Sequence, residues 1–152
     1  MAKITAVCLS EKKGTRKRPV SKALALADHG LENDAHAGNW HRQISLLSLE
    51  KIEDFKSRGA KVDFGDFGEN LVVEGIDPAV LPVGTRLRAG DVLLEITQIG
   101  KECHTRCAIH QAMGECIMPT QGVFAKVLSP GVLSPGMPLE LAHDNTKGKA
   151  IL

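Results

Sequence analysis

The amino-acid sequence predicts an all-β fold, either a barrel or a sandwich, with one or two helices. Short apolar runs rich in β-branched residues recur along the 152 residues, glycine and Pro-Gly turns separate them, and helical periodicity is clear in one segment. The length is within the usual size of a single domain. We therefore expect one domain over residues 1–142 and a polar, flexible C-terminal tail over residues 143–152.

The predicted strands are distributed along the whole chain. They are Lys3–Ser10, Val20–Ala27, Gln43–Leu47, Leu71–Val73, a short segment around Leu87, Val92–Ile99, Val123–Leu128 and Leu139–Leu141. The strongest is Val92–Ile99, because it combines branched apolar residues with a terminating glycine. A polar stretch with two glycines, Gly30–Asn39, is too irregular for a regular element.

One helix is predicted with both of its ends. Ser48 can cap a helix that begins at Leu49, and Gly59 provides a stop signal. Ile52 and Phe55 follow Leu49 at helical spacing and form one apolar stripe for the core.

The composition argues against two classes of partner. Lys and Arg number 19 against 18 Asp and Glu, so no overall field would attract nucleic acid. Four Phe, one Trp and no Tyr leave few platforms for stacking single-stranded bases. No apolar run approaches the roughly 20 residues that span a membrane. Since the N-terminus does not resemble a signal peptide, we expect a cytoplasmic protein with reduced cysteines.

The cysteines indicate where chemistry is to be sought. Cys103 follows the strongest strand and has Lys101, His104 and Arg106 as neighbours. Nearby cations stabilise a thiolate, which is a nucleophile and a ligand for soft metals. Accidental basic neighbours around a surface cysteine remain an alternative. Cys8, in an apolar strand, is interpreted as a small core residue.

A zinc site is a second interpretation of the same region. Cys103, His104, Cys107 and Cys116 lie close together in the sequence, with His110 between them. Structural zinc prefers two closely spaced ligand pairs, and only the first pair fits, loosely. A disulfide between Cys103 and Cys107 during turnover is a further possibility, since a helical turn or two is predicted over residues 103–113 and residues four apart on a helix can approach each other.

Three polar segments are candidates for ligand binding. His36–Arg42 combines glycine with His and Arg donors, which suits phosphate, although on spacing alone a polar turn before a strand is the better explanation. Gly68–Asn70 is either a turn or a corner that faces a ligand. The basic run Lys12–Arg18 is typical of a solvated hairpin tip, but it could receive an anionic group.

Taken in order, these pieces resemble the MOSC domain family, named after the C-terminal domain of molybdenum cofactor sulfurases. The matching segments are Gly30–Gly38, Arg42–Leu47, Phe67–Leu71, the strand Leu94–Ile99 leading into Cys103, Gly122–Ala125, and Pro135-Gly136. The resemblance extends from Lys3 to about Leu141. It implies a closed β-barrel with one to three short helices.

The resemblance also implies a molybdenum cofactor (molybdopterin) and a site for it. Cys103 occupies the position of the family's cysteine that contacts molybdenum or carries its sulfur. The phosphate of the pterin is expected to be neutralised by Arg42 together with one or more of Lys17, Arg18 and Arg106. Those expected to hydrogen-bond the pterin ring edge are His36, Glu69 and Asn70.

Three functions follow as hypotheses. The first is cofactor binding with sulfur transfer or delivery to molybdenum enzymes, with a cysteine desulfurase or a molybdenum enzyme as partner. The second is a small molybdenum-dependent reductase of N-hydroxylated compounds, which would need an electron-donor protein. The third is a non-catalytic, zinc-clipped module that binds another protein.

Overall fold

The computed structural model describes residues 2–12, 16–100 and 122–142. Its strands are β1 Lys3–Leu9, β2 Arg18–Val20, β3 Ala23–Leu26, β4 Gly30–Leu31, β5 Ile44–Ser48, β6 Leu71–Glu74, β7 Arg86–Ala89, β8 Val92–Ile99, β9 Val123–Ser129, β10 Gly131–Leu133 and β11 Glu140–Ala142. One α-helix, α1 Leu49–Ser57, and one 3₁₀ turn, Pro78–Val80, accompany them. The all-β class is confirmed. The cysteines after β8 and the tail from residue 143 lie outside the described residues, as does the helical turn expected over 103–113.

Eight strands form one sheet in the order β11-β7-β8-β9-β5-β6-β1-β2. All its neighbours are antiparallel except β5 and β6, which are parallel because α1 crosses over between them. A second sheet, β10-β3-β4, has three strands. The polar loop at 65–70 leads directly into β6, which is paired with β5 in the interior of the sheet. This loop therefore lies at the end of buried strands.

The large sheet is a curled half-barrel, and the closed barrel implied by the resemblance is wrong. Its edge strands β11 and β2 do not pair with each other within the described ranges. The ends approach at one isolated bridge between Lys3 and Pro138, supported by the hydrogen bond from Ile4 N to Met137 O (2.9 Å). Leu139 N donates to Ala2 O (3.0 Å) on the other side of the bridge, so the missing N–H of Pro138 does not break this contact. The contact is limited to these few residues, and no ladder joins β11 to β2 in the described part of the chain.

The core lies on both faces of the curled sheet. The larger cluster fills its concave side and includes Ile4, Leu46, Leu71 and Leu94. The smaller cluster lies beneath α1 and contains Phe55 together with aliphatic residues of β1 and β6. Alternate strand residues face the two clusters, as a sheet covered on both faces requires.

The elements follow the sequence prediction with local differences. Ser48 caps α1 as expected, since its side chain accepts a hydrogen bond from Lys51 N. The single strand expected over Val20–Ala27 is divided into β2 and β3, which belong to different sheets. The strand β10, only three residues long, was not predicted. In the described part of the chain, no helix is both long and apolar enough to cross a membrane.

Candidate functional site

A pocket opens where the chain before β5, the loop before β6 and the strand β9 meet. It encloses about 150 Å³. Its described lining consists of His36, Trp40, Arg42, Ser45, Gly68, Asn70 and Phe124. These residues are up to 88 positions apart (36 to 124), so only the assembled sheet brings them together.

Asn70 and Ser45 form the floor between the parallel strands. The Asn70 Oδ1 accepts hydrogen bonds from Ser45 N (2.9 Å) and Ser45 Oγ (3.2 Å). In return, Asn70 N donates to Ser45 Oγ at 3.0 Å. Asn70 is 1% exposed, so this part of the pocket is rigid and its acceptor oxygen is already engaged.

A buried network of charged and polar side chains lies behind His36. The Lys17 ammonium is 2.7 Å from Asp34 Oδ1 and 3.0 Å from His36 Nδ1. Asp34 Oδ1 also accepts a hydrogen bond from Ser10 N at 3.1 Å. The side chains of Lys17 and Asp34 are 1% and 0% exposed. The ion pair between Lys17 and Asp34 is therefore shielded from water, unlike the ion pairs on the protein surface.

Glu69 is buried beside the pocket and holds the loop that shapes it. Its carboxylate accepts hydrogen bonds from Gly65 N (2.9 Å) and Phe67 N (3.0 Å). Burial raises the pKa of Glu69 to about 7, although the backbone hydrogen bonds, including that from Gly65, act in the opposite direction. Phe67 packs against Phe55 of α1, with ring centroids 5.8 Å apart. The loop is thus fixed both by its buried carboxylate and by the smaller core cluster.

Arg42 provides the positive charge in the wall of the pocket. Its guanidinium lies over the Phe124 ring, 5.1 Å from the centroid, and its Nε donates to Gln98 Oε1 at 3.1 Å. The His41 ring also hydrogen-bonds Gln98 Oε1, at 2.9 Å. Gln98 in turn donates from Nε2 to Gly100 O at 2.8 Å. The end of β8, from which the chain leaves toward residue 103, is therefore tied to the pocket wall.

Trp40 forms an exposed aromatic rim. Its indole Nε1 donates to His36 O at 2.8 Å, and its ring meets His41 edge-on with centroids 5.7 Å apart. It is nevertheless 43% exposed. A planar aromatic surface that is anchored at one edge and open to solvent on the other can stack against a flat ligand.

The predicted site residues have different positions in the structure. His36, Arg42 and Asn70 line the pocket together, whereas Lys17 and Glu69 are buried behind the described lining. Arg18 is exposed on the edge strand β2. The others, Cys103, Arg106, Cys107 and Cys116, lie outside the described residues, so their roles stay predictions.

Sequence reasoning did not single out Trp40, Ser45, Phe124 or Asp34. A signal existed for Trp40, because it is the chain's single tryptophan and stands inside a segment already chosen for its His and Arg residues. Asp34 gave no such signal, because its importance comes from a contact with a residue 17 positions earlier.

The described lining suits the edge of an anionic, planar ligand. It offers an imidazole, a guanidinium and two aromatic rings. Its volume is below the roughly 300–1,000 Å³ of typical ligand clefts, so it would receive a ring edge or one anionic group rather than a whole cofactor. No cluster of three or more His, Cys, Asp or Glu side chains suited to a metal occurs among residues 2–12, 16–100 and 122–142.

Comparison with known proteins supports the same fold. The chain is 27% identical over 151 residues to the uncharacterized protein YflK of Bacillus subtilis, covering 91% of this chain and 67% of YflK. Among solved structures, YiiM from Geobacillus stearothermophilus gives a TM-score of 0.71 at 20% identity, covering 96% of this chain and 77% of YiiM. The YUAD protein from Bacillus subtilis gives 0.75 at 19% identity, covering 93% and 96%.

The family assignment comes from the sequence match. The MOSC domain matches residues 33–140, which is well over half of the chain and includes all seven described lining residues of the pocket. The chain therefore belongs to the MOSC domain family, which connects it with the molybdenum cofactor.

Proposed function

We propose that the protein binds the molybdenum cofactor through this pocket and serves sulfur transfer or delivery to molybdenum enzymes, with Cys103 as the reactive thiolate. The bound cofactor would supply the metal and its redox and sulfur chemistry, and the protein would supply binding and orientation. Delivery requires a partner, either a cysteine desulfurase that provides sulfur or a molybdenum enzyme that receives the product.

The observation that carries the proposal is the convergence of His36, Arg42 and Trp40 at one opening. Arg42 can neutralise an anionic group, and its planar guanidinium suits an oxyanion geometrically. The Trp40 ring can stack against a flat heterocycle. His36 can hydrogen-bond the heterocycle's edge. Together they match the chemistry of an anionic pterin.

The other predicted site residues are proposed to hold the pocket in shape or to attract the cofactor. Asn70 and Glu69 keep the floor and its loop in place, since their side-chain oxygens are engaged by backbone N–H groups. Arg18, exposed on β2, can attract the phosphate end of the cofactor, and Arg106 is proposed for the same part. Lys17 acts through His36, to which its ammonium is hydrogen-bonded.

The position of Cys103 in the sequence supports its proposed part. The chain leaves β8 at Gly100, close to Gln98, whose side chain is bonded to Arg42. Three further residues can span at most about 11 Å, so the Cys103 thiolate is tethered within reach of the neighbourhood of the pocket. A sulfur so tethered could ligate the metal. It could instead attack the outer sulfur of a persulfide on a cysteine desulfurase, which would transfer that sulfur to Cys103 as a persulfide and release the desulfurase cysteine as a thiolate.

The test is the cofactor content of protein made in a host that synthesises the cofactor. We expect the wild type to co-purify with molybdenum and pterin, detected by elemental analysis and by fluorescence of the oxidised pterin. Arg42→Gln should lose most of the pterin, because the anion loses its counter-charge. Cys103→Ser should retain pterin but lose molybdenum or sulfur transfer.

The matched control is Cys107→Ser, which removes a thiol four positions away without touching the proposed ligand. It should behave like the wild type. Unchanged molybdenum content and sulfur transfer in Cys103→Ser would remove this residue from the mechanism. A wild type with one tightly held zinc and no pterin would overturn the proposal as a whole.

A further inference from the structure

We infer that Lys17 and Asp34 are positioning residues that fix the tautomer of His36, and that this makes the pocket selective for ligands presenting a hydrogen-bond acceptor or an anion. The choice of ligand rests on the proposed function, whereas the state of His36 is a property of the chain alone.

The tautomer of His36 follows from which of the two side chains can donate a hydrogen bond to the other. A lysine ammonium has three donors and no acceptor. The Lys17 Nζ lies 3.0 Å from His36 Nδ1, so Nδ1 must accept. In a neutral imidazole that accepts at Nδ1, the proton is on Nε2, which makes Nε2 a donor.

The chain holds Lys17 in this place from several sides. Lys17 N donates to Gly65 O at 3.2 Å, and the Lys17 carbonyl lies so close to Gly65 that a Cβ there would be 2.0 Å from its oxygen. Asp34 receives both the ammonium and Ser10 N on its Oδ1. The ammonium is therefore held in position without any ligand, by the Asp34 carboxylate and by the backbone contacts of Lys17. Such preorganisation is what makes a polar group effective in binding.

A purely structural ion pair would be arranged differently. The Oδ2 of Asp34 is buried and has no hydrogen-bond partner within the described part of the chain. An ammonium devoted to the carboxylate could satisfy both oxygens, yet this one directs a donor to His36 instead. Leaving a buried carboxylate oxygen unsatisfied is costly. The arrangement is explained if the contact with the imidazole is its purpose.

The edge of the pocket would therefore present hydrogen-bond donors to a ligand. His36 contributes Nε2–H and Arg42 its guanidinium, while Asn70 Oδ1, an acceptor, is occupied by Ser45. A ligand edge with carbonyl, deprotonated ring nitrogen or oxyanion groups would be favoured. An edge made of amino groups would meet donors and be rejected.

The first experiment measures the tautomer directly in the ligand-free protein. Two-bond ¹⁵N–¹H spectra of the ¹⁵N-histidine-labelled chain, assigned with His36→Gln, distinguish the two tautomers and the doubly protonated ring. We expect the Nε2–H tautomer, with Nδ1 as acceptor. An Nδ1–H or doubly protonated ring in the wild type would overturn the inference, whatever the variants do.

The matched variant is Lys17→Met with Asp34→Asn, which removes one positive and one negative charge and leaves the net charge unchanged. Lys17→Met alone would strand a buried carboxylate and could prevent folding. In the double variant we expect a mixture of both His36 tautomers. If the variant is folded and His36 still shows only Nε2–H, the positioning part is refuted.

The ligand class is tested with inorganic phosphate and with a neutral, phosphate-free pterin, followed by Trp40 fluorescence. We expect phosphate to bind the wild type and to bind the double variant about twofold more weakly, because in an even mixture of tautomers about half of the rings carry the proton on Nε2. Binding of the pterin without phosphate binding would assign the donors to the ring edge. Binding of neither probe would overturn the ligand-class part. Absence of molybdenum from the purified protein, by contrast, would fail only the proposed function, since the tautomer needs no cofactor.

Discussion

Asn70 and Cys8 are joined by two hydrogen bonds, from Cys8 N to Asn70 O (2.7 Å) and from Asn70 Nδ2 to Cys8 O (3.0 Å). The same Asn70 side chain accepts from Ser45 on the other side. One amide thus connects β1 with β5 across the start of β6. The pocket floor is therefore a joint between three strands.

Replacing Asn70 with alanine should destabilise the protein severely. The change leaves Ser45 N and Cys8 O without their side-chain partner, and each such buried group costs about 1–3 kcal/mol. We expect a loss of about 3 kcal/mol in the free energy of unfolding, measured by urea denaturation. Ser45→Ala is the control, because Ser45 N would keep its bond to Asn70 Oδ1, and it should cost about 1 kcal/mol. Equal losses in the two variants would contradict the joint described here.

Glu69 should make stability depend on pH. Folding raises its pKa from 4.5 to about 7, mainly through burial, so the folded chain holds the proton more tightly than the unfolded chain. The resulting stabilisation is complete below the unfolded pKa and is lost as the pH rises through the folded one. We expect this carboxyl to remove roughly 3 kcal/mol from the free energy of unfolding between about pH 4.5 and pH 7.

Other groups titrate in the same range, so the measurement is a difference between the wild type and Glu69→Gln. Glutamine cannot ionise, although it retains one acceptor for the two backbone donors. Urea denaturation across that pH range should show the decline in the wild type and a flatter profile in the variant. Parallel profiles would show that Glu69 does not titrate as its burial implies.

Two glycines of the same loop should respond differently to alanine. A Cβ at Gly65 would lie 2.0 Å from the Lys17 carbonyl oxygen, whereas one at Gly68 would meet nothing within 4 Å. Both have positive φ, +93° and +83°, so both substitutions carry backbone strain of about 1–2 kcal/mol. Gly65→Ala should therefore lose several times more stability than Gly68→Ala, and its thermal midpoint should fall further. Similar thermal midpoints in the two variants would argue against the close approach of Gly65 to the Lys17 carbonyl.

Cys8 should be inert in the native protein. Burial raises the pKa of its thiol to about 12, and the nearby charge of Glu69 adds to the effect. At neutral pH the thiolate fraction would be about a thousandfold below that of a cysteine with the ordinary pKa of 9.0. Alkylation with iodoacetamide, located by peptide mass spectrometry, should label this residue only after denaturation. Rapid labelling of Cys8 in the folded chain would contradict its burial.

Local patterns in the sequence predicted the strands and the helix because their causes are local. The alternation in Lys3–Leu9, the branched residues of Val92–Ile99 and the Ser48 cap each depend on a few neighbouring residues. Whether the sheet closes depends on how its two ends meet, and the bridge that brings them together joins Lys3 to Pro138, which are far apart in the sequence. Whether the sheet forms a closed barrel could therefore not be predicted from local sequence patterns.

The candidate site shows the same division. His36 and Arg42 were predicted with the help of the family resemblance, because spacing alone favoured a simple polar turn for their segment. Lys17 belongs to a basic run of the kind that is normally solvated, and its burial is made possible by Asp34, which no local pattern connects with it. Glu69 was expected to face a ligand, yet its carboxylate is bound by backbone N–H groups of its own loop, a direction that spacing does not encode.

The 2.6 Å hydrogen bond from Gly100 N to Gly122 O clamps the point where the chain departs from β8 and rejoins the sheet at β9. Since the entropic cost of joining two chain ends grows slowly with the length of the connection, the number of residues between these two glycines can change with little effect on the stability of the sheet. Residues 101–121 include three of the four cysteines. The segment that contains the cysteine proposed to react could therefore change during evolution while the described residues of the pocket stay the same.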